Sequence, residues 1–162
     1  MRIRSFVLGG LFAMIATTAV QAEQSNIKTF NTGSYAQMLQ AHAGQPFVLA
    51  IWSLDCPSCI KDMKVIADMR KSHPELAFVM LSTDEPSVTP EVQSMLARTG
   101  LNALENWIFG SEDAQKLRYE IDANWFGELP RTYFYDAAHH RTGYSGALST
   151  ADFESQIGKI LH

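Results

Sequence analysis

Phe47-Val48-Leu49-Ala50-Ile51-Trp52 is an unbroken apolar run of strand length. A strand with one wet face alternates apolar and polar residues, whereas a run without alternation suits a strand buried on both faces, as in a parallel sheet covered by helices. The run therefore favours an α/β architecture. Just beyond it stand the only two cysteines, as Cys56-Pro57-Ser58-Cys59. Ile60, Met63, Val65, Ile66 and Met69 then recur at three- and four-residue spacing, the pattern of an amphipathic helix. Pro57 suits its first turn, where a missing N–H leaves no bond unmade. Two thiols so spaced at a strand-to-helix junction can close a reversible disulfide. The same spacing is half of a zinc site, which needs two further Cys or His ligands. Of His42, His73, His139, His140 and His162, only His139-His140 stand together, in an expected turn. Redox chemistry is favoured, and neither a metal nor a cofactor is expected.

The N-terminus bears on that choice. Arg2 and Arg4 precede an apolar stretch from Phe6 to about Val20, and Val20-Gln21-Ala22 offers small residues where a signal peptidase reads. A cleaved signal peptide over residues 1–22 is expected. The alternative, a membrane anchor, would need about 20 apolar residues, and Gly9, Gly10, Thr17 and Thr18 interrupt this shorter run. Export, to the periplasm, places the cysteines where disulfides persist. Residues 23–162 suit a single domain, with no stable membrane insertion after cleavage. Loss of Arg2 and Arg4 takes the formal charge from −4 to −6, since no acidic residue leaves with them. That charge argues against nucleic acid or an anionic membrane as partner.

Further elements follow from punctuation and periodicity. A short strand is expected at Ile27–Phe30, then a helix capped by Ser34 and stopped by Gly44 and Pro46. The helix after Pro57 ends at His73-Pro74, a second buried strand covers Leu76–Leu81, and a helix opens at Thr89-Pro90-Glu91 and stops at Gly100. Trp107–Phe109 reads as a short extended segment, and Ser111 as the cap of a helix to about Glu120. Arg131–Tyr135 and Arg141–Ser145 form a hairpin around Asp136–His140, and Ser149-Thr150-Ala151-Asp152 opens a final helix. This order implies a central mixed β-sheet flanked by helices on both faces.

That order, with Trp52 four residues before Cys56 and Leu129-Pro130 ahead of a late strand, resembles the thioredoxin superfamily. The long stretch between the second buried strand and Leu129-Pro130, with its extra helix, is similar to the periplasmic TlpA/ResA group. The resemblance implies a thioredoxin-like fold. It also implies a cis Pro130 lying against the disulfide, with the Leu129 backbone pairing with substrate chain; a trans edge-strand proline is the alternative. Trp52, Pro57 and Ser58 would complete the substrate-facing surface. Asp62 falls one helical turn after Cys59, where the group commonly carries a Glu, and could move protons during exchange. Its alternative is a solvated helix acid balanced by Lys61 and Lys64. Ala50 occupies the position of thioredoxin's own buried Asp. Asp55, directly before Cys56, replaces the usual aromatic residue, and Pro57 stands one position earlier than the motif's common proline. A carboxylate at 55 opposes thiolate formation while a helix N-terminus favours it.

The expected enzyme is a protein disulfide oxidoreductase, with Cys56 as nucleophile and Cys59 as resolving thiol. The resemblance favours reductase over oxidase, acting on protein disulfides, with a membrane thiol carrier as electron donor. Trp125-Phe126 could flank the disulfide. Two other readings compete. Ser53 matches a peroxidase pattern that would need Pro where Leu49 stands. A copper carrier would use both thiolates and a distant His, which requires His139 or His140 near the sulfurs.

Overall fold

The computed structural model describes residues 27–162; the expected signal peptide lies outside them. Among the described residues six strands form one sheet: β1 (Lys28–Phe30), β2 (Phe47–Trp52), β3 (Ala77–Ser82), β4 (Glu105–Phe109), β5 (Arg131–Tyr135) and β6 (Arg141–Ser145). Their order is β1-β4-β3-β2-β5-β6. The first four run parallel in space, while β5 pairs antiparallel with β2 and β6 antiparallel with β5. The sheet is therefore mixed, as expected.

Every residue of β2 is buried, because helices cover both faces. The helices are α1 (Ser34–Ala41), α2 (Pro57–Ser72), α3 (Thr89–Thr99), α4 (Ala114–Ile121) and α5 (Thr150–Ile160). Val48, Ala50 and Trp52 point to one side with Met63 and Ile66 of α2, Val92 and Leu96 of α3, and Phe153 and Ile157 of α5. Phe47, Leu49 and Ile51 point to the other, with Met38 of α1 and Leu117 and Ile121 of α4. The alternation along β2 thus feeds two apolar layers instead of a wet face and a dry one.

Helix starts differ from expectation at two places. Gly33, with φ 89°, precedes α1, and Ser34 is its first residue, its Oγ turned back to accept the Asn31 N–H at 2.9 Å. Asp113, not Ser111, caps α4, its Oδ1 accepting from Gln115 and Lys116. A carboxylate spanning two amides displaces the hydroxyl two residues earlier. Ser149 and Asp152 do form a capping box at α5. The segment at Trp107–Phe109 is longer than expected, beginning at Glu105. A single 3-10 turn at Pro86–Val88 leads into α3.

Candidate redox site

Cys56 is the residue that caps α2, and Pro57 opens the helix. The Cys59 main-chain N–H donates to Cys56 Sγ at 3.2 Å, so one of the free amides of the first turn is aimed at the first sulfur. Cys56 and Cys59 are joined in a disulfide, with Cα atoms 5.2 Å apart. Cys56 is 8% exposed and Cys59 1%. Pro57, Ser58 and Asp55 are exposed around them.

The loop between β2 and α2 is tied down from below. Thr83 N–H donates to the Trp52 carbonyl at 2.9 Å, and Asp84 Oδ2 accepts from the Leu54 N–H at 3.0 Å and the Ser82 hydroxyl at 2.6 Å. Sequence reasoning missed Asp84 and Ser82, since nothing local to β3 says what its end will meet. Trp52 is 2% exposed and packs in the same layer as both cysteines, so its ring backs the disulfide from inside. Its indole Nε1 is buried without a hydrogen-bond partner among the described residues.

Pro130 reaches the site through sheet register. Ile51 pairs with Arg131 across the β2–β5 ladder, which sets Pro130 beside the end of β2, and the Leu129–Pro130 bond is cis. Pro130, Cys59 and Asp62 line one cavity of about 10 Å³, together with Ala50, Trp52, Thr132 and the apolar side chains of Met63 and Met80. Such a volume suffices for one water molecule at most.

Asp62 is therefore not a solvated helix acid. It is 4% exposed, while Lys61 and Lys64 lie on the outer face of α2. Burial pushes its carboxyl up from 3.8 to about 6, only partly offset by a hydrogen bond from the Leu148 backbone. Its Oδ2 is buried with no hydrogen-bond partner among the described residues. A buried carboxyl with an uncommitted oxygen beside a redox thiol is equipped to take up and return a proton near neutral pH.

The histidines are elsewhere. His139 Nε2 bonds the His42 carbonyl at 3.0 Å and its ring meets Phe47 edge-on, at the start of β2, the opposite end from Trp52 and the cysteines. His140 bonds Asp136. Neither joins the sulfurs, and among the described residues no group of three His, Cys, Asp or Glu side chains is placed to hold a metal ion. The geometry that the copper reading requires is not present.

No protein-family model matches the chain, and no curated protein matches it by sequence. Solved structures do. A secreted disulfide oxidoreductase of Mycobacterium tuberculosis, homologous to DsbE of E. coli, superposes with a TM-score of 0.61 at 20% identity, over 74% of this chain and 85% of that one. The chain has a thioredoxin-like fold. A thiol:disulfide interchange protein of the thioredoxin family from Chlorobium tepidum gives 0.63 at 18% identity, over 76% and 85%. StoA from Bacillus subtilis gives 0.54 at 14%, over 71% and 84%. The CxxC pair thus sits on a scaffold shared with thiol:disulfide oxidoreductases.

Proposed function

We propose that the protein is an exported thiol-disulfide oxidoreductase that reduces protein disulfides through Cys56 and Cys59. The observation that carries this reading is the burial of Asp62 against Cys59, with one carboxylate oxygen uncommitted. In the dithiol form, the Cys56 thiolate attacks one sulfur of a substrate disulfide. A Cys56–substrate bond forms, the substrate S–S bond breaks, and the departing thiolate takes a proton. Cys59 then gives its proton to the Asp62 carboxylate and attacks Cys56 Sγ; the Cys56–Cys59 bond forms, the Cys56–substrate bond breaks, and the second substrate sulfur leaves as a thiolate that takes a proton. The substrate gains two electrons and two protons, and Cys56–Cys59 is left oxidised. Leu129, Pro130, Pro57 and Ser58 face the substrate during this exchange, and Trp52 supports the pair from inside. A membrane thiol carrier returns the electrons, in keeping with the TlpA/ResA resemblance.

Direction follows from which form the site stabilises. Carboxylates at Asp62 and Asp55 disfavour a thiolate at either cysteine, which stabilises the disulfide and lowers the potential. The amide directed at Cys56 Sγ acts the other way and is what favours the second reading, a disulfide-donating oxidase. Equilibration with dithiothreitol at controlled ratios decides between them. The reductase reading expects a potential nearer thioredoxin's, about −270 mV, than that of DsbA, about −120 mV. A value near the latter makes the protein an oxidase, and failure to exchange at all removes both readings.

A further inference from the structure

Phe126 is 86% exposed, yet the loop that carries it is held at both ends and in the middle. Asp122, at the end of α4, meets Arg131, the residue after Pro130, with Oδ2 and Nη2 3.2 Å apart, so the two ends of the loop are clasped together. Arg131 also donates to Ser145 Oγ at 2.7 Å, and Ser145 donates in turn to Glu128 Oε1 at 2.7 Å. The other oxygen of Glu128 accepts the main-chain N–H of Phe126 itself, at 3.2 Å. Trp125 is buried, and its indole N–H donates to the Glu128 carbonyl at 3.0 Å. Of two adjacent aromatic residues one is pinned inside, and the other is thereby fixed outward. A single exposed apolar side chain ordinarily needs no explanation. One whose own amide is fixed by the far end of a three-member relay is different, because the loop is ordered around it.

The far end of the same loop enters the redox site. Pro130 shares a cavity with Cys59, and the Leu129 main-chain N–H and C=O make no hydrogen bond among the described residues. A residue with its N–H and C=O both unpaired, and an apolar contact three residues earlier, is the complement of a polypeptide, which offers main-chain groups and side chains at matching intervals. A small disulfide such as glutathione disulfide has amide groups but no apolar side chain at that interval.

We propose that Phe126 is a specificity-determining contact, taking an apolar side chain of the extended protein segment that carries the disulfide. This rests on the oxidoreductase reading and adds to it a contact that selects among protein substrates. Because the loop is ordered beforehand, little conformational entropy is lost on contact. The step itself is the exchange already described, with Phe126 binding the segment and taking no part in bond making.

The test mixes prereduced protein with either insulin or glutathione disulfide and follows each single turnover by tryptophan fluorescence. For Phe126→Ala, the ratio of the insulin rate constant to the glutathione-disulfide rate constant falls about tenfold, the scale on which loss of an aromatic anchor is felt. Phe126→Leu, which keeps an apolar side chain, recovers most of that ratio. An unchanged ratio in Phe126→Ala overturns the proposal while leaving the oxidoreductase reading intact. A wild-type protein that reacts with neither disulfide overturns that reading, and this inference with it.

Discussion

Replacing Asp62 by asparagine keeps the shape of the side chain and removes its charge. In the folded, oxidised protein the carboxyl is raised from 3.8 to about 6 by burial. At about 1.4 kcal/mol per pH unit, that difference is worth about 3 kcal/mol between folded and unfolded states. The sign follows from proton binding. Between the two values the folded state holds the proton more tightly, so Asp62 favours folding below about pH 4 and loses that advantage as pH rises through 6. Depressed carboxyls act in the opposite sense, among them Glu105, whose hydrogen bond from His42 outweighs burial and holds it at about 2. They are common to both proteins and cancel in a comparison of the two.

Urea denaturation of oxidised wild type and Asp62→Asn at about pH 4 and about pH 8 measures this directly. The change in stability between the two pH values should differ between the proteins by about 2.5 kcal/mol, most of the full difference since the unfolded carboxyl is still partly ionised at about pH 4, wild type losing more on the alkaline side. Any constant cost of fitting an amide beside Oδ2's unpaired position drops out, because it is present at both pH values. In the reduced protein the same substitution should lower the apparent thiol pKa values and flatten the pH dependence of disulfide reduction, read as a whole profile of thiolate absorbance since the groups titrate together. Loss of a proton acceptor should also slow the resolving step at neutral pH by about a hundredfold. Parallel stability profiles and overlaid thiolate titrations would refute the assignment, leaving Asp62 a buried acid with no part in exchange.

Brief iodoacetamide treatment of the reduced protein should label Cys56 in preference to Cys59, as read by mass spectrometry; the opposite pattern reverses their roles. Cys59→Ser should accumulate mixed disulfides with exported proteins and Cys56→Ser should not, because only the former leaves the first intermediate without an intramolecular exit. Asp122→Ala should cost about 3 kcal/mol in chemical denaturation, since it removes the carboxylate paired with Nη2 of the largely buried Arg131 and the acceptor of the Tyr133 hydroxyl, which donates to Asp122 at 3.0 Å. A loss under about 0.5 kcal/mol, the scale of ordinary surface substitutions, would show that solvent replaces the clasp.

The sheet was legible because β2 announces itself. Six apolar residues without alternation leave few options, and the β-branched and aromatic content of Arg131–Tyr135 identifies its neighbour. The helix starts at Gly33 and Asp113 were misplaced, because several capping residues cluster there and only the surrounding hydrogen bonds choose among them. Within the candidate site, Cys56, Cys59, Asp62 and Pro130, expected from spacing and resemblance, lie together: the cysteines are bonded, and Cys59, Asp62 and Pro130 line one cavity. Asp84 and the clasp from Asp122 to Arg131 were not, because each joins segments distant in sequence and carries no local pattern.

The burial of Asp62 was the harder matter, and periodicity explains why. Counted along α2, residues 59, 62, 63, 66 and 69 are buried and 61, 64 and 68 are not, so position 62 belongs to the apolar stripe and its acid is the exception within it. A charged residue on a buried stripe either has a partner or has work to do. Here the stripe faces β2 at Ala50, the position at which thioredoxin carries its own buried acid, and Ala50 and Asp62 line the same cavity. A small residue on the strand leaves room for a carboxylate supplied by the helix. Either backbone can therefore present one acid to the same space, and both at once would place two carboxyls in a cavity with room for one water at most, where one must remain protonated. The alanine on β2 and the aspartate on α2 are thus one arrangement, and each explains the other.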